Sequence, residues 1–276
     1  MDFVSIVDVL VVGVPLAYAF LVAVYGWSFF GASQRVQRME SPSLFTVVLL
    51  HVLYILLRTA AFDHAPVTTV FEIMTMLAAC IVISYSYIEI RTRTTSTGFF
   101  ILLLAFLFQC ISSLFIKDLT TIDPVLRSRL LGFHVSSALL GYTAVSLSAV
   151  YGLLYLMLYH EIKSLSLGVI YSRLPTLETL EKMSHKAEVL GFIMLSVAIT
   201  IGLVWLPQAF ESFSYLDPKL VGTFVIWILY ALALGAKRGL GWQGRKTMIL
   251  SLVAFGFVML SMTVINLYWS GFHSFH

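Results

Sequence analysis

Long apolar stretches separated by short polar segments run the length of the chain. Eight of them cover roughly 4–30, 43–62, 67–90, 97–116, 127–160, 182–207, 219–237 and 246–272. A bilayer core needs about 20 apolar residues per helix, so each stretch predicts a transmembrane α-helix. A membrane β-barrel would show alternating strands of about ten residues; these runs are continuous and too long. The fifth, at about 34 residues and 1.5 Å per residue, would measure about 50 Å and project beyond the hydrocarbon. The first does not read as a secretory signal: its early charges, Asp2 and Asp8, are acidic, no basic region precedes it, and its apolar run is too long. The longest polar segment is 161–181, where Leu174, Leu177, Leu180 and a start at Pro175 predict a short interfacial helix. The expected fold class is an all-α membrane protein with eight transmembrane helices, forming a single polytopic membrane domain over 1–276.

Composition removes the soluble alternatives. Hydrophobic residues make up 59% and charged residues 11% of the chain, against about 25% charged in a soluble domain. That excludes a soluble globule, a disordered chain and a coiled coil. The formal net charge of +3 is too small to imply nucleic acid; the expected partner is the lipid bilayer. Cys80 and Cys110 sit inside apolar runs and form neither CxxC nor zinc spacing.

Basic residues set the expected orientation. Arg35, Arg38, Arg91, Arg93, Lys163, Arg173, Lys182, Lys186, Lys237, Arg238, Arg245 and Lys246, 12 of the 17, fall in the loops after spans one, three, five and seven. The other side holds Arg58, Lys117, Arg127, Arg129 and Lys219, which is 5. The reading is a multi-pass protein of the plasma (inner) membrane with both termini extracytoplasmic.

Seven histidines are the candidate chemistry. His51 lies about halfway along span two, where an ionisable residue is costly and is by default a functional hypothesis; hydrogen bonding to a neighbouring helix is the bland alternative. His160 and His185 lie at cytoplasmic ends. His64, His134, His273 and His276 lie at or beyond the outer surface. His134 opens the transmembrane part of span five and His273 ends span eight, so two separate helices bring an imidazole to the same face. Neutral imidazole is a common axial ligand of haem iron. If the two helices touch, the rings could grip one iron between them; otherwise each is a polar residue at headgroup level. His51 and Arg58, seven residues apart, share a helix face, with Glu72 as the obvious partner for Arg58. That group reads either as a structural ion pair or as a polar lane from His51 toward the outer site.

The stretch Gly132–Leu156, GFHVSSALLGYTAVSLSAVYGLLYL, resembles the central helix of the CcsA/CcmC/HemX cytochrome c assembly proteins, where a His opens the helix. DPKLVGTFVIW over 217–227 resembles the end of that family's tryptophan-rich segment and the helix after it. WQGRK over 242–246 is similar to the basic turn before the last helix, and NLYWSGFHS over 266–274 to the chain ending. The match is strongest over 130–276 and most resembles the smaller eight-span HemX and YpjD-type members. The resemblance implies a bis-histidine haem site at the extracytoplasmic face, with His134 and His273 as iron ligands and Asp217, Pro218 and Lys219 at the end of the segment. Two departures stand out. The tryptophan cluster is absent, with LPQAFESFSYL over 206–216 and only Trp205 nearby. Gly235 also stands about where relatives carry a seventh-span His. His51 and His185 match histidines of some YpjD-type relatives, which makes His51 a further metal candidate.

Haem is a flat apolar disc with two carboxylates. The outer face offers Phe210, Phe213, Tyr215 and Trp269 as aromatic surface, and Arg127, Arg129 and Lys219 for the propionates, with interfacial anchoring as the alternative for the basic residues. No Ser–His–Asp order, Walker A or HExxH is present, so no enzyme is expected; without CxxCH the chain is not itself a c-type cytochrome. The implied function is binding, presentation and transport of haem b, transient or resident, for cytochrome c biogenesis. The implied partners are a ResB/CcsB-type membrane protein, apocytochrome c and a thioredoxin-like thiol reductant. A HemX-type regulator of tetrapyrrole synthesis, or an accessory subunit, is the alternative; a permease has little support from the few intrahelical prolines.

Overall fold

The structure is a computed structural model and describes residues 3–31, 33–119, 128–209 and 214–263. Among these residues every regular element is helical. Among the described residues eight helices are long and apolar enough to cross a bilayer, and the protein is a multi-pass membrane protein. The helices fall into two compact units, 1–123 and 124–276.

The first unit contains α1 (Phe3–Gly31), the short α2 (Gln34–Gln37), α3 (Glu40–Phe62), α4 (Val70–Thr92) and α5 (Gly98–Phe115). The long helices close a ring: α1 packs on α3 and α5, and α4 packs on α3 and α5. Its burial pattern is inverted relative to a soluble bundle. His51, Arg58, Glu72, Thr75, Gln109 and Ser112 are fully buried, whereas Leu49, Leu56 and Leu114 are exposed. An apolar exterior around a polar interior is what a hydrocarbon solvent selects, because unpaired polar groups cannot face lipid. The start of α4 is fixed by its sequence: the Thr69 hydroxyl caps it by accepting from Glu72 N at 3.1 Å. Glu72 in turn reaches back to Thr68 N at 2.9 Å, a reciprocal arrangement close to a capping box.

The second unit contains α6 (Arg129–Lys163), the short α7 (Val169–Arg173), α8 (Leu177–Ala209), α9 (Pro218–Gly239) and α10 (Arg245–Leu260). Here α6 packs on α8, α8 on α9, α9 on α10, and α10 back on α6. The α6–α8 contact is the most extensive among the described residues, and glycines permit its close approach. A Cβ on Gly191 would lie 3.2 Å from the Val145 backbone nitrogen and 3.3 Å from the Gly141 carbonyl, and one on Gly141 would lie 3.2 Å from the Leu195 nitrogen. Small residues that let backbones approach are the usual means of helix association in lipid.

Among the described residues the expected helix boundaries agree with the structure to within a few residues except over 161–181; the expected end of the eighth span, at 272, lies outside the described residues. The short helix there is α7, and it stops before Pro175. A proline drives the residue before it out of the helical region, and Leu174 is extended at φ −74°, ψ 154°. Leu177 and Leu180 instead begin α8, where the Thr176 hydroxyl accepts from Thr179 N at 3.3 Å. Leu180 is fully buried, so its apolar side serves the bundle and not an interfacial helix.

Candidate functional site

His134 lies one and a half turns into α6 and packs against α8 within the second unit. Its Nδ1 is 2.8 Å from the Ala198 carbonyl oxygen. A carbonyl can only accept, so Nδ1 carries the proton and donates it. In the neutral imidazole this leaves the lone pair on Nε2, and Nε2 has no hydrogen-bond partner among the described residues. A ring nitrogen tied to a carbonyl while the other points away is the arrangement that orients metal-ligating histidines and raises their basicity. Gly202 makes room for the ring: a Cβ there would stand 2.9 Å from His134 Cε1 and 3.0 Å from Nδ1.

The neighbourhood of His134 is apolar on one side and charged on the other. Leu131, Trp205 and Leu206 form a buried cluster, with Val135, Ala209 and Leu220 packed against it. These residues join the start of α6, the end of α8 and the start of α9. Lys219 lies within electrostatic reach of the imidazole, and Asp217 within reach of Lys219. The Asp-Pro-Lys sequence places this charge by ordinary helix chemistry. Asp217 caps α9 and accepts from Lys219 N at 2.8 Å, and Pro218 occupies the first turn, where its missing N–H costs nothing. Tyr215, just before the cap, is 61% exposed. Thus His134, Asp217 and Lys219 come to one end of one unit, with Tyr215 on its rim. Arg127, Phe210, Phe213, Trp269 and His273 lie outside the described residues.

His51 belongs to the first unit and is held differently. It is fully buried, and both ring nitrogens are engaged: Nδ1 with Tyr18 Oη at 2.8 Å and Nε2 with Thr75 Oγ1 at 3.0 Å. Thr75 donates its only proton to Gln109 Oε1 at 2.6 Å, so it accepts from Nε2–H. Nδ1 is then the acceptor and Tyr18 the donor. Gln109 Nε2 donates onward to Ser113 Oγ at 3.0 Å. Residues of α1, α3, α4 and α5 thus form one directed hydrogen-bond chain, in which the single imidazole lone pair, on Nδ1, already accepts from Tyr18.

Arg58, fully buried in the same unit, meets Glu72 at 3.3 Å, Asp118 at 3.0 Å and the Lys117 carbonyl at 2.8 Å, and its guanidinium lies 4.8 Å from the centre of the Phe62 ring. His64 places its two nitrogens 3.0 Å from the Ala65 and Leu119 carbonyls. His185 Nδ1 stands 3.9 Å from Glu188 Oε2 in the second unit. No group of three or more His, Cys, Asp or Glu side chains able to hold a metal ion occurs among the described residues. Two contributors to the His134 site escaped the sequence reading. Ala198 acts through a backbone carbonyl, which any residue possesses. Gly202 acts through a missing side chain, and only its place on the helix facing His134 could have marked it.

Comparison with known proteins covers most of the chain. Residues 36–273 match the family model described as Cytochrome C assembly protein. The cytochrome c biogenesis protein CcsA of Heterosigma akashiwo (strain NIES-293 / 8280G21-1) is 25% identical over 257 residues, 80% of each chain. The CcsA protein of Prochlorococcus marinus (strain MIT 9301) is 27% identical over 252 residues, 83% of this chain and 82% of that one. The CcsA protein of Trieres chinensis is 24% identical over 291 residues, 94% of this chain and 93% of that one.

Proposed function

The chain belongs to the cytochrome c assembly protein family, and on that premise we propose that it binds haem and presents it during cytochrome c biogenesis. Haem is its cargo. His134 supplies one axial nitrogen through Nε2, and His273, from the last span, supplies the other. Both act at the extracytoplasmic face; the positive-inside distribution of basic residues supports that side for the start of α6 and for both termini. Lys219 and Arg127 pair with the propionates, and Tyr215, Phe213 and Trp269 offer aromatic surface to the macrocycle. The protein acts without catalysis of its own. It holds haem b transiently and passes it to apocytochrome c, beside a ResB/CcsB-type membrane partner and a thioredoxin-like reductant that keeps the acceptor thiols reduced.

The observation that carries this reading is the hydrogen bond from His134 Nδ1 to the Ala198 carbonyl. It selects the tautomer whose free nitrogen is a ligand, and it does so beside a buried apolar cluster and a cation suited to a carboxylate-bearing disc. Titration of purified protein with haemin tests it. The expected result is a low-spin bis-imidazole absorption spectrum, lost in both His134→Ala and His273→Ala, with haem affinity lowered at least about tenfold in each. Wild-type spectra and affinity in both variants would overturn it.

A further inference from the structure

At the opposite end of α6 from His134, a cavity of about 260 Å³ opens between the last turns of α6 and the first turn of α10. Its lining is Leu156, Tyr159, His160 and Lys163 from α6, and Arg245 and Ile249 from α10. The order of these residues along each helix is informative. On α6 the apolar Leu156 lies one turn deeper than His160 and two turns deeper than Lys163. On α10 the apolar Ile249 lies one turn deeper than Arg245. A further turn along, Leu153 and Val253 are exposed apolar residues, which by helical spacing share the faces of Leu156 and Ile249 toward the middle of each helix. An occupant must therefore be an amphiphile, with an anionic end at the helix termini and an apolar body running parallel to the helices.

His160, Lys163 and Arg245 form no ion pair among the described residues. The two nearby acids are engaged elsewhere. Glu161 Oε2 accepts from Gly168 N at 3.1 Å and Tyr171 N at 2.8 Å, which ties it to the loop after α6. Glu181 Oε1 accepts from Gly244 N at 3.1 Å and pairs with Lys237 at 3.4 Å. The cavity wall is also set in place. Tyr159 stacks on Tyr155 with ring centres 6.4 Å apart, and the Arg245 guanidinium lies 6.0 Å from the Tyr159 ring centre. Gly244, at φ +62°, lets the chain pass the Tyr155 hydroxyl where a Cβ would stand only 2.6 Å from it.

We propose that this cavity is a binding site for an anionic phospholipid, its phosphate held by Lys163, Arg245 and His160 and its acyl chains lying over Leu156 and Ile249. A phosphodiester above alkyl chains matches both the charge and its placement relative to the apolar lining. Basic pockets between transmembrane helices are an established means of selecting anionic headgroups.

The test is native mass spectrometry of the full chain in neutral detergent with equimolar phosphatidylglycerol and phosphatidylcholine. The wild type is expected to retain phosphatidylglycerol in preference by roughly tenfold or more. Lys163→Gln with Arg245→Gln removes that preference, whereas Arg91→Gln with Arg93→Gln, an equal loss of charge in the first unit, keeps it. Leu156→Trp, which fills the cavity without touching charge, also removes it and stands in should the double variant fail to fold. Equal retention of the two lipids by wild type, or equal loss in the Arg91/Arg93 control, overturns the proposal. So does displacement of phosphatidylglycerol by equimolar haemin, which would assign the cavity to a different amphiphilic anion.

Discussion

His51 and His134 are both imidazoles on long apolar helices, and they are held in opposite ways. His51, at the centre of the first unit, is sealed from solvent and uses both nitrogens, one accepting from Tyr18 and one donating to Thr75. His134, near the end of the second unit, is half-buried and uses one nitrogen, donating to a backbone carbonyl. Depth in the membrane would rank them the other way, because a mid-membrane ionisable residue is the more costly and the more conspicuous. Counting donors and acceptors separates them more sharply. A histidine whose neighbours consume both nitrogens stabilises the fold, and one fixed by a single acceptor keeps a lone pair for chemistry.

The largest test of this contrast concerns the sealed interior of the first unit. Arg58→Ala would strand buried Glu72, at a cost of about 3–5 kcal/mol. The expected outcome is a large fall in melting temperature or loss of monodisperse protein in detergent; melting like wild type would show that the polar interior does not hold this unit together. A smaller loss is expected from His51→Ala, which deprives Tyr18 and Thr75 of their partner. About 2 kcal/mol of stability should disappear, measured by thermal unfolding, while haem affinity per folded molecule stays as in wild type. A variant that lost haem and kept its melting temperature would reverse the roles assigned to the two histidines. The smallest effect sharpens the other side. Gly202→Ala places a methyl group against His134 Cε1 and turns Nε2 from its direction. Haem binding should weaken a few-fold with little change in melting, since the hydrogen bond that orients a ligand tunes affinity; unchanged affinity would detach the ring orientation from function.

Much of the architecture was legible in the chain itself. The spans were readable because charged and turn residues interrupt apolar runs of bilayer length, and the Arg58–Glu72 pair was readable because two buried opposite charges at one depth have few other partners. Near 161–181 a run of leucines was assigned to an interfacial helix, when Pro175 divides it and gives Leu177 and Leu180 to α8. The site was less legible. His134 could be singled out, but its tautomer depends on Ala198, sixty-four residues away, through an atom that carries no side-chain identity. The saturation of His51 required Tyr18, Thr75 and Gln109 from three other helices, and residues that far apart along the chain leave no local pattern. Asp217 was readable as part of a motif; its capping of α9 explains why the motif begins with Asp-Pro.

The path from Tyr18 through His51, Thr75 and Gln109 to Ser113 has a sense of travel. Every proton along it points the same way, so its local dipoles add. Turning a single hydroxyl around would set two donors, or two lone pairs, face to face among fully buried side chains. Reversal would demand moving the imidazole proton and inverting the Gln109 amide together. The first unit therefore carries one polarity across its four long helices, and they must keep their relative registration for that polarity to persist.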